Sequence, residues 1–351
     1  AIGLVILAVL ILLVMPMFLD IFRLNLMGKY LTFAFVAIGL VLCWGHGGIL
    51  SLGQGIFFGI GGYCMAMFLK LEASDMQSTA AQTTPGIPDF MDWNQITSLP
   101  GFWEPFHSFG FTLFGDVYFS IIMQAIVAIL TILIIGQQGF TGGINGITDL
   151  KTLHGWDIRT DEAKYVLYYI NALLLIAVIM ISRFVLSSKL GRLLSAMRDK
   201  EERVRFSGYD VAMYKVFIFC FAAVVSSIGG AMFTLQVGFM SPTIIGIVPS
   251  IEMVILAAVG GRLSLIGAVY GAVLVNLGKT YFSEAFPEVW LYFLGALFIG
   301  VVMFLPNGLA GLYEKYVRPL FLKKKPIDST SPPPSSDPDK TIDPIVEGGV
   351  K

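Results

Sequence analysis

Ser51 and Gln54 stand in the stretch GGILSLGQG (Gly47–Gly55), and Ser264 stands in a similar one, GGRLSLIGA (Gly260–Ala268). Hydroxyl and carboxamide groups in apolar surroundings can pass a small polar solute from one hydrogen-bond partner to the next. Tyr63, Tyr118, Ser120, Gln124, Thr234 and Gln236 are of the same kind. A buried amide without a partner costs ~1–3 kcal/mol, so each should meet either a solute or a neighbouring helix. Glu252 is sharper, because a carboxylate inside a membrane span is a functional candidate by default. Pro249 just before it equally allows a place at the membrane edge.

Bond-breaking chemistry has no such footing. His46, His107 and His154 are scattered, and neither H-E-x-x-H nor G-x-S-x-G occurs. The chain is therefore not expected to be an enzyme. Without a G-x-x-x-x-G-K-[ST] loop it should bind no ATP itself, and no cofactor or nucleic acid is expected. Cys43, Cys64 and Cys220 all lie in apolar runs, as small core residues would, so no metal centre is expected.

The elements holding these groups follow from composition. Hydrophobic residues make up 56% of the 351, charged residues 13%, and the net charge is −1. Apolar runs recur at Ile2–Leu19, Leu31–Trp44, Ile49–Leu69, Val117–Ile135, Val166–Leu186, Val216–Leu235, Ile251–Val259, Leu265–Leu277 and Val289–Leu305. A helix of about 20 residues spans ~30 Å of hydrocarbon, and continuous apolarity rather than alternation excludes a barrel. The expectation is an all-α polytopic membrane protein with about nine hydrophobic segments. The first run lacks a basic leader and a small-residue cleavage site, so a helix is expected there.

Why should one chain carry the glycine-rich, serine-bearing break twice? Transporters place broken helices in corresponding positions of two related halves. The repetition therefore favours internally repeated, glycine-broken helices, with Ser51, Gln54 and Ser264 offered to a solute. Small residues spaced for helix packing are the plain alternative.

Positive charge marks the cytoplasmic side. Residues 187–215 hold Lys189, Arg192, Arg198, Lys200, Arg203, Arg205 and Lys215, and the chain's end holds Lys315, Arg318 and Lys323–Lys325. Both are expected in the cytoplasm, whereas residues 70–115, acidic and nearly free of basic residues, read as an outer loop. A transmembrane domain over 1–322 then precedes a Pro-, Ser- and Asp-rich tail, 323–351, expected to be disordered. The first half falls one crossing short of this scheme. A span is missing, Pro105–Gly115 dips into the bilayer, or the loop is misplaced.

In KLGRLLSAMRDKEERVRFSGYD (Lys189–Asp210), Leu190, Leu193, Leu194 and Met197 fall on one helix face. Such a segment lies at a membrane surface or docks in a partner's groove. It resembles the cytoplasmic loop of ATP-binding-cassette importer permeases, whose signature is Glu-Ala-Ala, three residues, then Gly. Glu202 and Gly208 keep that spacing, with Arg203 and Val204 in place of the alanines. Together with LSLGQGIFFGIGGY (Leu50–Tyr63) and VGGRLSLIGAVYGAVLV (Val259–Val275), the loop resembles the branched-chain amino-acid permease family over nearly all of Leu31–Leu312. Within it, VYFSIIMQA (Val117–Ala125), GFTGGINGITDLKTLHGWDI (Gly139–Ile158) and PGFWEPFHSFGF (Pro100–Phe111) are similar to urea permease subunits. Those carry a further span before the YFS segment, which is lacking between Phe111 and Asp116.

The resemblance implies a multi-pass permease of the bacterial inner membrane, importing urea delivered by a periplasmic solute-binding protein. It implies two cytoplasmic ATPase subunits carrying ATP and Mg, and a second related permease. Gly191, Arg192, Arg198, Asp199, Glu202 and Gly208 would couple the ATPase to the flanking helices. Asn145 and Asp149 would shape the entrance, or form a plain turn. Alternatives are branched-chain amino acids or short amides as cargo, and a secondary transporter or channel. An amino-acid path should include a partner for a carboxylate, such as the N-terminus of a broken helix.

Overall fold

The computed structural model describes residues 2–74, 87–96, 98–101, 103, 120–153, 155–286, 289–304 and 308–312. Helix α1 (Ile2–Val9) passes through a π-helical turn, Leu10–Val14, into α2 (Met15–Phe18). Helix α3 (Ile21–Leu40) likewise continues through a π-helical turn, Val41–His46. Then follow α4 (Gln54–Ser74), α5 (Asp89–Trp93), α6 (Ser120–Gly136), α7 (Gln138–Thr141) and a hairpin of β1 (Thr152–Leu153) with β2 (Trp156–Asp157). The second half holds α8 (Asp161–Ser187), α9 (Lys189–Phe206), α10 (Val211–Val237), α11 (Ile247–Gly260), α12 (Leu265–Ala285), α13 (Trp290–Phe304) and α14 (Gly308–Leu312).

The all-helical, multi-span expectation holds; the count of nine does not follow. Among the described residues five helices are long and apolar enough to cross a membrane: Ile21–His46, Gln54–Ser74, Asp161–Ser187, Val211–Val237 and Leu265–Ala285. A sixth crossing is added if Ile126–Gly136 and Gln138–Asn145, bent by 94°, form one span. Gly3–Phe18, Ile247–Gly260 and Tyr292–Val301 are apolar but shorter. At 1.5 Å per residue, α11 reaches only about 21 Å, short of the ~30 Å of hydrocarbon. Most of the expected outer loop 70–115, the short stretch Phe111–Asp116 and the tail 323–351 lie outside the described residues. Helix α4 runs on to Ser74, where Lys70 pairs with Asp89 at 3.0 Å, so the first residues of that loop are helical.

Helix α10 is the central post, packed on α3 and α4. Lipid tails give no hydrophobic drive between helices, so close backbone approach has to supply the contact. Gly230 provides it, since a Cβ there would collide with the carbonyl of Phe58 on α4. Phe33, Phe58 and Phe233 close the same seam, with ring centroids 5.2–5.5 Å apart. Helix α8 ties down two elements: Tyr168 donates its hydroxyl to Ile11 O in the π-helical turn after α1 at 2.9 Å, and Asn171 Nδ2 donates to Gly28 O on α3 at 2.8 Å.

The pairings along α10 give each helix a direction. Gly39 on α3 lies against Ala222 and Ser226, and Gly28 against Gln236, so α3 and α10 are antiparallel. Gln54, Phe58 and Gly62 on α4 meet Ser226, Gly230 and Thr234 in turn, so α4 is parallel to α10. Helix α4 thus begins just past the middle of α10 (27 residues). After α3 ends, residues 47–53 climb back into the bundle before α4 starts. Residues 238–246 make the equivalent return after α10: Met240 packs on Gly62, Ile245 on Gly59, and α11 starts at the same depth. Gly55 lies against Ser250, so the first turns of α4 and α11 pass side by side in opposite directions. Two helix–break–helix units of inverted direction result, the second helix of each starting inside the bundle.

The two similar sequence stretches therefore occupy unlike places. Gly47–Gly55 is a re-entrant break. Gly260–Ala268 is the turn between α11 and α12, where Gly45 packs against Arg262 and Ser264 caps α12 by accepting from Gly267 N at 3.0 Å. The structural counterpart of the first break is 238–246, which carries no Leu-Ser-Leu.

Candidate translocation site

A cavity of about 610 Å³ lies between α3, α10, α11 and α12. Its apolar wall includes Leu26, Phe33, Phe233, Ile244, Met253 and Val275. Its polar groups are charged: Lys29, Glu252, Lys279 and Glu284, with Asn276, Tyr30 and Thr280 beside them. Lys279 donates to Glu252 Oε2 at 2.5 Å, and Tyr30 is hydrogen-bonded to Thr280. Lys29 lies over the Phe233 ring, 6.0 Å from its centroid, and pairs with no carboxylate among the described residues. An intramembrane cation without an anion is costly.

The cavity touches the second break directly, through Thr243, Ile244 and Pro249 at the start of α11. At the first break, Ser51 and Gln54 are almost wholly buried, with 2% and 0% exposure. Gln54 Oε1 accepts from Ser226 Oγ at 3.1 Å, but Gln54 Nε2 and Ser51 Oγ have no partner among the described residues. Among the described residues the buried Tyr63 hydroxyl and Gln236 Oε1 meet no partner. Gln236 Nε2 binds Asn25, and Thr234 donates to Gly62 O at 3.0 Å.

Helix α9 lies across the end of the bundle opposite the cavity. The expected apolar face forms: Leu194 and Met197 are buried, with Leu190 and Leu193 half-buried beside them. Ser188 caps the helix, accepting from Leu190 N at 3.2 Å, and Gly191 packs where a Cβ would collide with Leu186 O. Arg198 pairs with Asp199 at 2.9 Å and donates from Nη1 to Gly45 O at 2.9 Å. Arg192 and Glu202 are exposed. The backbone leaves helical geometry at Lys200, and Gly208 turns the chain at φ +83° toward α10.

Residues 107–302, more than half of the chain, match the family described as branched-chain amino acid transport system, permease component. The chain belongs to this family. It is 25% identical over 310 residues to the high-affinity branched-chain amino acid transport system permease protein LivM of Salmonella typhimurium, covering 80% of this chain and 68% of the relative. The protein of the same name from Escherichia coli is 24% identical over the same shares. No solved structure matches.

Of the polar residues singled out in the permease's sequence, Glu252 lines the cavity, and Ser51 and Gln54 gather at the start of α4. Gln236 and Tyr63 sit in helix seams, and Ser264 caps α12. Tyr118, His107 and His154 lie outside the described residues; so do the side chains of Ser120 and Gln124, whose backbone lies on α6. Asn145 and Asp149 form an exposed turn, with Asp149 at φ +58° and paired with Lys151 at 2.6 Å. Sequence reasoning missed Lys29, Lys279 and Glu284. The signal was present, because Lys29 and Lys279 are charges within spans. Drawing the apolar runs from Leu31 and only as far as Leu277 left them just outside.

Proposed function

We propose that this permease passes α-amino acids with branched aliphatic side chains, as a subunit of an ATP-driven importer. The cavity carries this reading. It is lined by cationic Lys29 and Lys279, by anionic Glu252 and Glu284, and by apolar side chains such as Phe33, Phe233 and Met253. A zwitterion needs both signs within a few ångströms, and a leucine or valine side chain needs the wall. Urea is neutral and needs neither. The names of the Salmonella and Escherichia relatives point the same way.

In this reading the substrate carboxylate sits at Lys29 and its ammonium at the glutamates. Delivery comes from a periplasmic binding protein, and two ATPase subunits dock on α9. A second permease chain, present as in the importers this family serves, completes the channel. Movement of α9 reaches the core through Arg198 and the Gly45 carbonyl at the π-helical end of α3.

Uptake of labelled leucine and labelled urea into ATP-loaded vesicles bearing the assembled importer tests the reading. Leucine uptake that Lys29→Gln lowers by about tenfold, ~1.4 kcal/mol, is expected. Urea uptake indifferent to leucine would overturn it in favour of the urea-permease likeness carried by Gly139–Ile158.

A further inference from the structure

The starts of α4 and α11 overlap by one turn and point opposite ways, as Gly55 against Ser250 and Gly59 against Ile245 require. The N-terminus of α11 opens toward the cavity. The N-terminus of α4 opens toward the other end of the bundle, where α9 lies. By the inverted relation of the two units, a site used at the start of α11 has a counterpart at the start of α4.

That counterpart carries its own sign of a ligand. Ser51 Oγ and Gln54 Nε2 are buried without partners among the described residues. Gln54 is the first residue of α4, and its carbonyl is held by Ser226, which leaves its NH₂ group free at the helix start. The first N–H groups of a helix have no acceptor within it, and together they act as about half a positive charge. Ile56 N is taken by Gly53 O at 3.1 Å, so Ser51, the Gln54 side chain and the first two N–H groups of α4 make the cluster of donors, with no carboxylate supplied by the described residues. Buried donors are almost always satisfied, and a helix N-terminus favours an anion.

We propose that Ser51, Gln54 and the N-terminus of α4 form a second subsite for the substrate carboxylate, the inward counterpart of the cavity at α11. This rests on the amino-acid reading above. The carboxylate leaves Lys29, passes the overlap of the two helix starts, and is held by the α4 donors before release toward the α9 end. Gly55 and Gly59 keep the overlap thin enough for a shift of α11 to open it.

The assembled importer, reconstituted with its binding protein and ATPase subunits, tests this through leucine transported per ATP hydrolysed. Gln54→Glu is close in size and is itself stabilised by the helix start, so it places a fixed anion where the substrate's would go. It should cut leucine per ATP at least tenfold while ATP hydrolysis and assembly persist. Gln54→Leu, which only removes a donor, should cut it less. Gln54→Glu with wild-type leucine per ATP would overturn the proposal. So would parallel loss of uptake and hydrolysis in both variants, which marks a purely structural position. Lys29→Gln, run alongside, separates the two readings. If it stops leucine uptake while Gln54→Glu does not, the second subsite alone fails. If the unaltered importer carries no leucine, both fail.

Discussion

Arg198 of α9 donates from Nη1 to the main-chain carbonyl of Gly45, 2.9 Å away, at the π-helical end of α3. The two residues are far apart in sequence, and their contact joins the amphipathic surface helix to the most deeply buried span. Gly48 packs against Arg198 from the other side, so the guanidinium stem is gripped by the turn that begins the first break.

Arg198→Ala should uncouple without unfolding. The apolar face of α9 stays buried through Leu194 and Met197, so assembly persists. Leucine uptake should fall at least tenfold, the effect of one lost charge-assisted hydrogen bond of ~1.5–3 kcal/mol. Arg198→Lys, lacking the planar fork, should recover only part. Uptake and ATP hydrolysis measured together check this; unchanged uptake would mean that the contact transmits nothing.

The Lys279–Glu252 pair at 2.5 Å lines the cavity. Glu252→Gln leaves a second cation beside Lys29 and should lower both stability and uptake. Breaking a buried pair costs up to ~3–5 kcal/mol, and less where the pair is part-exposed as here. The double change Glu252→Gln with Lys279→Gln should restore the unfolding temperature but not uptake. Recovery of both would show that the charges serve only the fold.

Gly230→Val drives a branched side chain into the Phe58 carbonyl on α4. Overpacking costs ~1–3 kcal/mol, more where backbone must yield, so the expected result is a lower unfolding temperature in detergent. A variant with unaltered stability and yield would contradict the seam between α4 and α10.

Tyr168→Phe deletes only the hydroxyl that reaches Ile11 O at 2.9 Å. The loss should be ~1 kcal/mol, read as a modest fall in unfolding temperature with uptake kept. A large loss of uptake would assign the α1–α8 seam to the transport cycle.

The sequence read well where one residue type answers to one solvent. Long apolar runs became spans, and Leu190, Leu193, Leu194 and Met197 became the inner face of α9. Helical periodicity suffices there, because every turn meets the same surroundings. The cavity was half legible: Glu252 stood out as a charge in a span, and Lys29 and Lys279 were hidden by run boundaries set two residues too tight.

Sequence alone determined that this chain is helical, lives in lipid, and carries one amphipathic basic helix, since hydropathy and period are local properties. Tertiary structure decided which polar groups face a cavity and which bind a neighbouring helix. Gln54, Tyr63, Gln236 and Ser264 are alike as buried polar residues, yet their partners come from helices far away in the chain. It also decided that the true counterpart of Gly47–Gly55 is 238–246 rather than the look-alike Gly260–Ala268. Inverted repeats are related by the direction in which helices run, and direction is set by packing on α10, which no short stretch of sequence records.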